Sequence, residues 1–254
     1  LTGAKGLGKT QFAKEFAKSL KNKDKSKRAF LELNCSTIKN NEQFFEQIFL
    51  PLVADNEITI LFDECHALPK DLTMAFLTIF NTETSTTKSL EWNEQTFTFD
   101  FKKQTFIFAT TESDKIFPPL KDRLTNVDFA PYSEGELGDI LNLCTPKSVI
   151  SKKCLREVAK TVRNNARSAV MRAKEIDLYC GAKRNYIFNL DNFKELCDNV
   201  SILPHGITYT EKQILDALNN HGSATLTGLA AKIGLSKTAL QKDHELSLLN
   251  KNFI

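Results

Sequence analysis

The chain has 254 residues, of which 41% are hydrophobic and 26% are charged, and its formal net charge is only +3. This length allows one large domain or two to three small domains with apolar cores. The small net charge excludes a protein that binds polyanions over its whole surface, so any basic patch has to be local. No apolar run is long enough for a transmembrane helix, and the six cysteines show neither a C-x-x-C pair nor zinc-ligand spacing, which favours reduced thiols in a cytoplasmic protein.

The ends of the sequence suggest a piece of a longer protein. The chain begins at Leu1 rather than at methionine, only Leu1 and Thr2 precede the first motif, and the last residues are the apolar pair Phe253-Ile254. We therefore expect a fragment that lacks its first strand and is also truncated at the other end.

The first motif is a phosphate-binding loop, because residues 3–10 read GAKGLGKT and fit the pattern G-x-x-x-x-G-K-(S/T). Its glycines let consecutive N–H groups point at an anion, its lysine brings a cation to the outer phosphates, and its threonine hydroxyl can ligate Mg²⁺. Phe12, Phe16 and Leu20 recur at helical spacing and predict a helix over 11–20, whose positive end would face the same phosphates. The residues predicted to hold the nucleotide are Gly3, Ala4, Lys5, Gly6, Leu7, Gly8, Lys9, Thr10 and Gln11. The alternative is a glycine-rich turn that caps a surface helix.

A second motif follows about fifty residues later, after a predicted strand at 29–34 and a predicted helix at 41–50. Residues 58–64 read ITILFDE, an apolar and β-branched run that ends in two carboxylates. A buried parallel strand delivers acids to the sheet edge in this way. We predict that Asp63 holds Mg²⁺ and that Glu64 polarises a water for attack on a γ-phosphate. The alternative is a core strand followed by a solvated acidic turn.

The next elements are a helix over 70–80, a hairpin and a further strand. Alternating Phe97, Phe99 and Phe101 predict a hairpin insert at about 82–104. The strand predicted at 105–111 ends in Thr110 and Thr111, where a polar side chain would lie beside the acidic strand end. After two prolines, Arg123 is expected on a short exposed helix, where it would pair with a carboxylate or reach the phosphate of a neighbouring subunit.

The second half is predicted to be all-α, with helices at 132–143, 152–163, 167–179 and 191–199, and Pro204-His205-Gly206 reads as a linker. This composition shift divides the chain into a core at 1–132, a helical domain at 133–203 and a terminal domain at 204–254.

The tail has a helix-turn-helix pattern. We predict a helix over 211–220 capped by Thr210, a helix over 226–233, a turn at Gly234, and a recognition helix over 237–250 capped by Ser236. Groove contacts would come from the start of that last helix. The residues predicted to contact DNA are Lys237, Thr238, Gln241 and Lys242. The alternative is a helical module for protein docking.

Six segments carry a resemblance to a known family, namely GAKGLGKT, LFDECHAL, FATTES, PPLKDRL, NNARSAVMRAKEI and the closing HELSLLNKNFI. In their order and spacing they resemble the RuvB family of AAA+ Holliday-junction branch-migration motors, over essentially the whole chain. The resemblance implies an α/β P-loop core with a parallel sheet, an all-α lid and a C-terminal winged-helix domain. It makes Thr111 the first sensor, Arg123 the arginine finger of an adjacent subunit's site, and Arg167 the second sensor. It also places the hairpin where the family contacts RuvA. The loop lacks the family's usual Pro-Pro, and the second-sensor run lacks its proline, which fits a divergent or phage-like member.

The function predicted from these features is an ATP- and Mg²⁺-dependent DNA translocase, with a four-way junction or duplex as its DNA. A ring of identical subunits, expected to be a hexamer, and a RuvA-like partner would complete it, and no membrane is involved. One alternative is a replication initiator or helicase loader. Another is a signalling NTPase switch with a protein-docking module. The paired Asp63 and Glu64 favour turnover over nucleotide sequestration.

Overall fold

The computed structural model of the chain describes residues 1–54, 56–81, 87–92, 95–163 and 165–254, and within these ranges it describes only the backbone of residues 90–92, 95, 97 and 250. The chain divides into two compact units, Leu1–Pro131 and Tyr132–Ile254. In the described residues, no helix combines the length and the apolar composition that crossing a lipid bilayer requires.

The first unit is built on a three-stranded parallel sheet in the order β1-β2-β5. Its elements are α1 (Lys9–Ser19), β1 (Ala29–Asn34), α2 (Asn41–Phe44) with a π-helical continuation (Phe45–Val53), β2 (Ile58–Asp63), α3 (Lys70–Ile79), β3 (Thr87–Trp92), β4 (Gln95–Asp100), β5 (Gln104–Phe108) and α4 (Pro118–Lys121). Because the strands are parallel, their carboxyl ends meet at one edge of the sheet.

The start of the chain extends this sheet beyond β5. Thr2 forms parallel bridges with both Thr110 and Asp128. Its amide donates to the carbonyl of Val127 at 3.0 Å, and the amide of Thr110 donates to the carbonyl of Leu1 at 3.0 Å. The loop that begins at Gly3 therefore leaves the sheet at the same edge as the ends of β2 and β5.

Strand β2 is central, and its residues from Ile58 to Phe62 are buried, which explains its continuous apolar sequence. One face carries an aromatic core, in which the Phe62 ring lies 5.0 Å from the rings of both Phe76 and Phe108. The other face packs against α1 through Ala13.

Helix α1 forms as predicted, but its large apolar residues are not its buried face. Phe12 and Phe16 are 46% and 41% exposed, whereas Ala13 and Ala17 are buried. The small residues face the sheet because they allow α1 to approach the strands closely. The apolar repeat thus predicted the helix without its orientation.

The predicted hairpin is present. Strands β3 and β4 pair antiparallel from Thr87 opposite Asp100 to Trp92 opposite Gln95. Its base is held by the core, since the Phe99 ring lies 5.0 Å from the Phe49 ring in an edge-to-face arrangement. Residues 82–86 and 93–94 of the predicted insert lie outside the described residues.

The second unit is mainly helical. Its elements are α5 (Glu134–Cys144), β6 (Val149–Ile150), α6 (Lys152–Ala159), α7 (Ala166–Lys183), β7 (Ile187–Phe188), α8 (Leu190–Asn199), α9 (Tyr209–His221), α10 (Leu226–Ile233), α11 (Lys237–Ala239) with a π-helical continuation (Leu240–Glu245), and α12 (Leu246–Asn250). The all-α prediction for this half missed the short parallel pair β6 and β7. Two residues each are too few for a period-2 pattern to be visible in the sequence.

Two apolar clusters organise this unit, one among α5–α8 and one among α9–α12. The division of residues 133–254 at residue 203 stays a prediction. Among the described residues, no strand follows β7 in the chain. The described elements of the tail are therefore helical, and they include no wing.

The caps of the tail helices correct one prediction. The N-cap of α9 is Thr208 rather than Thr210, because its hydroxyl accepts from the amide of Glu211 while the Glu211 carboxylate accepts from the Thr208 amide. Thr210 is also followed at the third position by a suitable residue, Gln213, so the spacing alone does not separate the two candidate caps. Gly234 has a φ of 77° at the end of α10, and the Ser236 hydroxyl accepts from the Ala239 amide, as predicted for these two residues.

Glu211 is fully buried and ties the two clusters together. Its Oε1 accepts from Nη2 of Arg163 at 2.7 Å, and its Oε2 accepts from the Thr208 amide at 2.7 Å. Burial alone would raise the pKa of Glu211, but the Thr208 amide and the Arg163 guanidinium outweigh it and lower the pKa. Arg163 follows α6, so the ion pair joins the first cluster to α9.

Replacing Arg163 with Met is expected to destabilise the second unit by about 3 kcal/mol at neutral pH, because Glu211 would be left as a buried charge without its cation. Since the folded pKa of Glu211 is lowered, the stabilisation exists above the unfolded pKa and is lost as the pH falls through the folded pKa. The penalty should therefore shrink in acid, and urea unfolding at several pH values measures it. Lys160→Met, which removes an exposed pair with Glu157, is the matched control and should change stability little. Equal effects of the two variants would contradict the assignment.

Candidate functional site

The loop over residues 3–8 turns at three glycines into the first turn of α1. Gly3, Gly6 and Gly8 have φ angles of 143°, 84° and 91°, which L-residues rarely adopt. Gly8 is the N-cap of α1 and has no side chain to bind the first amides of the helix. The loop and the first helical turn thus form the positive end of a helix, a position that favours binding of an anion.

Lys9 lies across this loop. Its side chain is buried, and Nζ donates to the carbonyls of Gly3 at 2.8 Å and Ala4 at 2.9 Å. The ammonium is thus held over the concave side of the loop. Ala4, Lys5 and Gln11 are exposed, and Leu7 is buried beneath the loop.

The two motifs meet directly, because the Thr10 hydroxyl donates to Oδ2 of Asp63 at 3.0 Å. They are 53 residues apart in the sequence. The carboxyl end of β2 places Asp63 beside the first turn of α1, which is the arrangement that the parallel-strand interpretation predicted. A hydroxyl and a carboxylate at this separation suit a hard cation such as Mg²⁺. In the described part of the chain, no group of three or more His, Cys, Asp or Glu could hold a metal by itself. Mg²⁺ bound here would take its remaining ligands from phosphate oxygens and water.

Glu64 follows Asp63 in a left-handed conformation, with φ 53° and ψ 47°. A non-glycine residue rarely adopts this conformation, and it turns the side chain away from the strand direction. The Glu64 amide donates to Oδ1 of Asp63 at 3.1 Å, and the Thr111 hydroxyl donates to Oε2 of Glu64 at 3.3 Å. Thr111 lies just beyond β5, so the neighbouring strand ends bring the predicted sensor to the predicted catalytic acid.

The sequence analysis missed two members of this site, His66 and Glu112. The His66 ring lies 2.9 Å from the Thr110 hydroxyl and 3.5 Å from Oε2 of Glu64 through Nδ1, and 3.1 Å from Oε2 of Glu112 through Nε2. The spacing D-E-x-H and a carboxylate directly after Thr111 were the available signals. Cys65, which lies between Glu64 and His66, is a buried free thiol. Burial raises its pKa to about 12, so it stays protonated at neutral pH.

Arg123 lies in the turn after α4, rather than within a helix as predicted. Its Nη1 donates to the carbonyl of Pro119 at 2.8 Å, and the side chain is exposed. With the described residues it forms no ion pair, so the alternative of a carboxylate partner is not realised in this structure.

The remaining predicted residues lie in the second unit. Arg167 is exposed in the first turn of α7. Exposed residues at and just after the start of α11 include the whole predicted DNA-contact set, namely Lys237, Thr238, Gln241 and Lys242. Their roles stay predictions.

Residues 1–132 match the AAA family, described as the ATPase family associated with various cellular activities. The chain belongs to this family. It is also 26% identical over 164 residues to the RuvB subunit of the Holliday junction branch migration complex of Campylobacter fetus. That match covers 63% of this chain and 48% of the relative, so the chain spans about half the length of the curated protein that it matches.

Solved structures give the same picture of the fold. A single-residue variant of RuvB from Thermotoga maritima superposes with a TM-score of 0.76 and 20% identity, covering 98% of this chain and 79% of that one. The structure described as the Thermotoga maritima RuvB Holliday junction branch migration motor gives 0.74 at 20% identity, covering 98% and 78%. The chain is therefore a RuvB-like AAA+ ATPase of low sequence identity, and at this identity the structural likeness concerns the fold alone.

Gly3 is a position of this loop where a side chain would clash with neighbouring backbone. A Cβ there would lie 2.7 Å from the carbonyl oxygen and 2.9 Å from the Cβ of Phe129, at a φ that already excludes most residues. Gly3→Ala is expected to weaken nucleotide binding about tenfold or more, because the loop has to shift to relieve the strain. Titration with a fluorescent ATP analogue measures this effect.

Gly181→Ala is the matched control, since Gly181 lies in α7 with nothing within 4 Å of its added Cβ. It should raise helix stability by up to about 1 kcal/mol and leave binding unchanged. Equal nucleotide affinity of Gly3→Ala and the unmodified chain would contradict the prediction.

Proposed function

We propose that the chain hydrolyses ATP in the presence of Mg²⁺ and uses the energy to move DNA, as a motor of the RuvB type that drives branch migration of Holliday junctions. The observation that carries this proposal is the single constellation formed by Lys9, Thr10, Asp63, Glu64 and Thr111 at one edge of the sheet. Its support comes from the AAA family match and from the low-identity resemblance to RuvB proteins.

In this proposal the loop binds the triphosphate. The amides of residues 4–8 and of the first turn of α1 surround the β-phosphate, and the Lys9 ammonium exchanges its carbonyl partners for phosphate oxygens. Thr10 and Asp63 hold Mg²⁺, which when bound draws charge from the phosphate oxygens and eases attack on phosphorus.

Glu64 supplies the general base. Its Oε2 is held by Thr111, and its Oε1 makes no hydrogen bond to any described residue. Oε1 can therefore take the proton of a water aligned with the γ-phosphate. Thr111 fixes the carboxylate and is close enough to respond to the presence of that phosphate.

Arg123 is proposed to act in trans. It lies exposed beyond α4, and among the described residues its side chain bonds only to the carbonyl of Pro119 in its own turn. An arginine that completes the site of a neighbour makes hydrolysis depend on assembly. We therefore propose a ring, with six subunits as expected from the resemblance.

The second unit is proposed to convert nucleotide state into DNA movement. Arg167 would respond to ATP against ADP, and the exposed positions of the recognition helix would contact the DNA backbone, with little dependence on sequence. We further propose that the β3–β4 hairpin contacts a RuvA-like junction-binding protein and that the protein acts in the cytoplasm.

Strand separation of a synthetic four-way junction tests the DNA part of this proposal. The unmodified chain should convert the junction to duplexes when ATP and Mg²⁺ are present. The double replacement of Lys237 and Lys242 by Ala should weaken DNA binding and lower the slope of log affinity against log salt by about 2. Replacing the exposed Lys174 and Lys194 by Ala removes the same charge. It should change neither the DNA affinity nor the slope of log affinity against log salt.

The alternatives give different results in the same experiment. A helicase loader would bind DNA and hydrolyse ATP slowly without moving the junction. A signalling switch would show no response of its ATPase to DNA. Failure to move the junction while DNA stimulates ATP hydrolysis would overturn the motor and favour the loader.

A further inference from the structure

His66 is placed by the turn that follows the acidic strand. Residues Cys65–Ala67 form a single 3₁₀ turn, and the Cys65 amide donates to the carbonyl of Ala109 at 3.0 Å. The turn is thus anchored to the extension of β5. The His66 side chain is only 18% exposed, whereas that of Glu64 is 40% exposed.

The ring of His66 connects two carboxylates. Its Nε2 lies 3.1 Å from Oε2 of Glu112, while Nδ1 lies 2.9 Å from the Thr110 hydroxyl and 3.5 Å from Oε2 of Glu64. Glu112 is itself fixed, because its Oε2 accepts from Nζ of Lys115 at 2.9 Å and its amide donates to the Thr110 hydroxyl at 3.0 Å. Every polar atom of the ring therefore has a partner at the strand ends.

These contacts converge on one oxygen of the candidate base. The Thr111 hydroxyl donates to Oε2 of Glu64 at 3.3 Å, and Nδ1 of His66 lies 3.5 Å from the same oxygen. A half-exposed glutamate has several side-chain rotamers, and a general base acts only in those that point at the water. Two neighbours on the same oxygen select a rotamer and leave Oε1 turned outward.

We propose that His66 is a positioning residue for Glu64, with Glu112 orienting the His66 ring. This inference rests on the proposed function, because its effect is defined by the water that Glu64 activates. Among the described residues, the polar contacts given for His66 are with Glu64, Thr110 and Glu112 rather than with the loop, so it would act through the carboxylate. It should therefore change the rate of turnover and leave nucleotide binding intact.

Steady-state ATP hydrolysis by the full chain tests the proposal. His66→Ala should lower kcat about 10- to 100-fold, the range seen when residues that orient a functional group are removed. The dissociation constant for an ATP analogue should stay within about twofold, because the substitution removes no binding contact. A kcat of His66→Ala close to that of the unmodified chain would overturn the proposal.

Two conservative variants separate positioning from packing. His66→Asn places an amide near the former Nδ1 and should recover much of kcat, whereas His66→Gln reaches the former Nε2 position and should recover little. Recovery by Gln and not by Asn would overturn the proposal. Lys160→Ala removes an exposed lysine that pairs with Glu157 on α6, away from this chain of contacts, and should leave kcat unchanged.

Ring nitrogen resonances give a readout that does not need hydrolysis. The chain has four histidines, so the signals of His66 can be assigned by comparison with His66→Ala. In ¹⁵N-labelled protein, Glu112→Ala should remove the protected Nε2 proton and Glu64→Gln should shift the Nδ1 resonance. Ring resonances that are insensitive to both substitutions would overturn the positioning role, whatever the activity. Absence of DNA stimulation with normal effects of His66 on basal turnover would instead overturn only the proposed DNA motor.

Discussion

Glu64→Gln is expected to lower the rate of ATP hydrolysis by about two to four orders of magnitude, the contribution typical of a general base. Gln keeps the size and one carbonyl oxygen of the side chain, so it can still accept the hydrogen bond from Thr111. It cannot take a proton from water. The variant should bind ATP and Mg²⁺ as the unmodified chain does, because the loop, Lys9 and Asp63 are untouched.

The measurement is single-turnover phosphate release, with ATP affinity measured in parallel. Glu157→Gln is the matched control, since this carboxylate lies on α6 and pairs with the exposed Lys160. It should hydrolyse ATP at the unmodified rate. Undiminished hydrolysis by Glu64→Gln would remove Glu64 from the catalytic role, and loss of ATP binding would mean that the substitution had damaged the loop.

Arg123→Ala is expected to lower hydrolysis about 10³- to 10⁵-fold in the assembled state, the range reported for arginine fingers. The subunit that carries the change should fold and bind ATP, because among the described residues the Arg123 side chain bonds only to the Pro119 carbonyl in its own turn. Lys121→Ala, an exposed cation two residues away, should leave the rate unchanged.

Mixing variants tests whether Arg123 acts on a neighbour. Arg123→Ala keeps its own loop, and Lys9→Ala keeps its own arginine, so a mixed ring contains sites with both parts intact. About a quarter of the composite sites in a random ring would be complete, because each interface joins different surfaces of two subunits. Phosphate release should therefore return on mixing. If the mixture stays as inactive as its components, the trans assignment is wrong.

The sequence alone predicted the centre of the site because its chemistry is local. The loop and the acidic strand end each require particular residue types at fixed spacing, and parallel pairing then brings Thr10 to Asp63. Thr111 was predicted for the same reason, as the polar end of the strand next to β2.

The parts that were missed depend on backbone geometry rather than spacing. His66 reaches Glu64, Thr110 and Glu112 because Glu64 adopts a left-handed conformation and the next three residues form a tight turn. Nothing in an apolar repeat shows that Phe12 and Phe16 face outward, since the choice depends on how closely α1 can pack on the sheet. The cap of α9 lies two residues before the predicted one, and spacing could not separate the candidates, because Thr208 is followed at the third position by Glu211 and Thr210 by Gln213.

Phosphate release from ATP and Mg²⁺, measured with and without four-way junction DNA for the unmodified chain and for Lys9→Ala, tests the central claim most directly. The account predicts saturable hydrolysis by the unmodified chain that rises when the junction is added and is abolished by Lys9→Ala. Hydrolysis that survives in Lys9→Ala, or an unmodified chain that releases no phosphate under either condition, would contradict it.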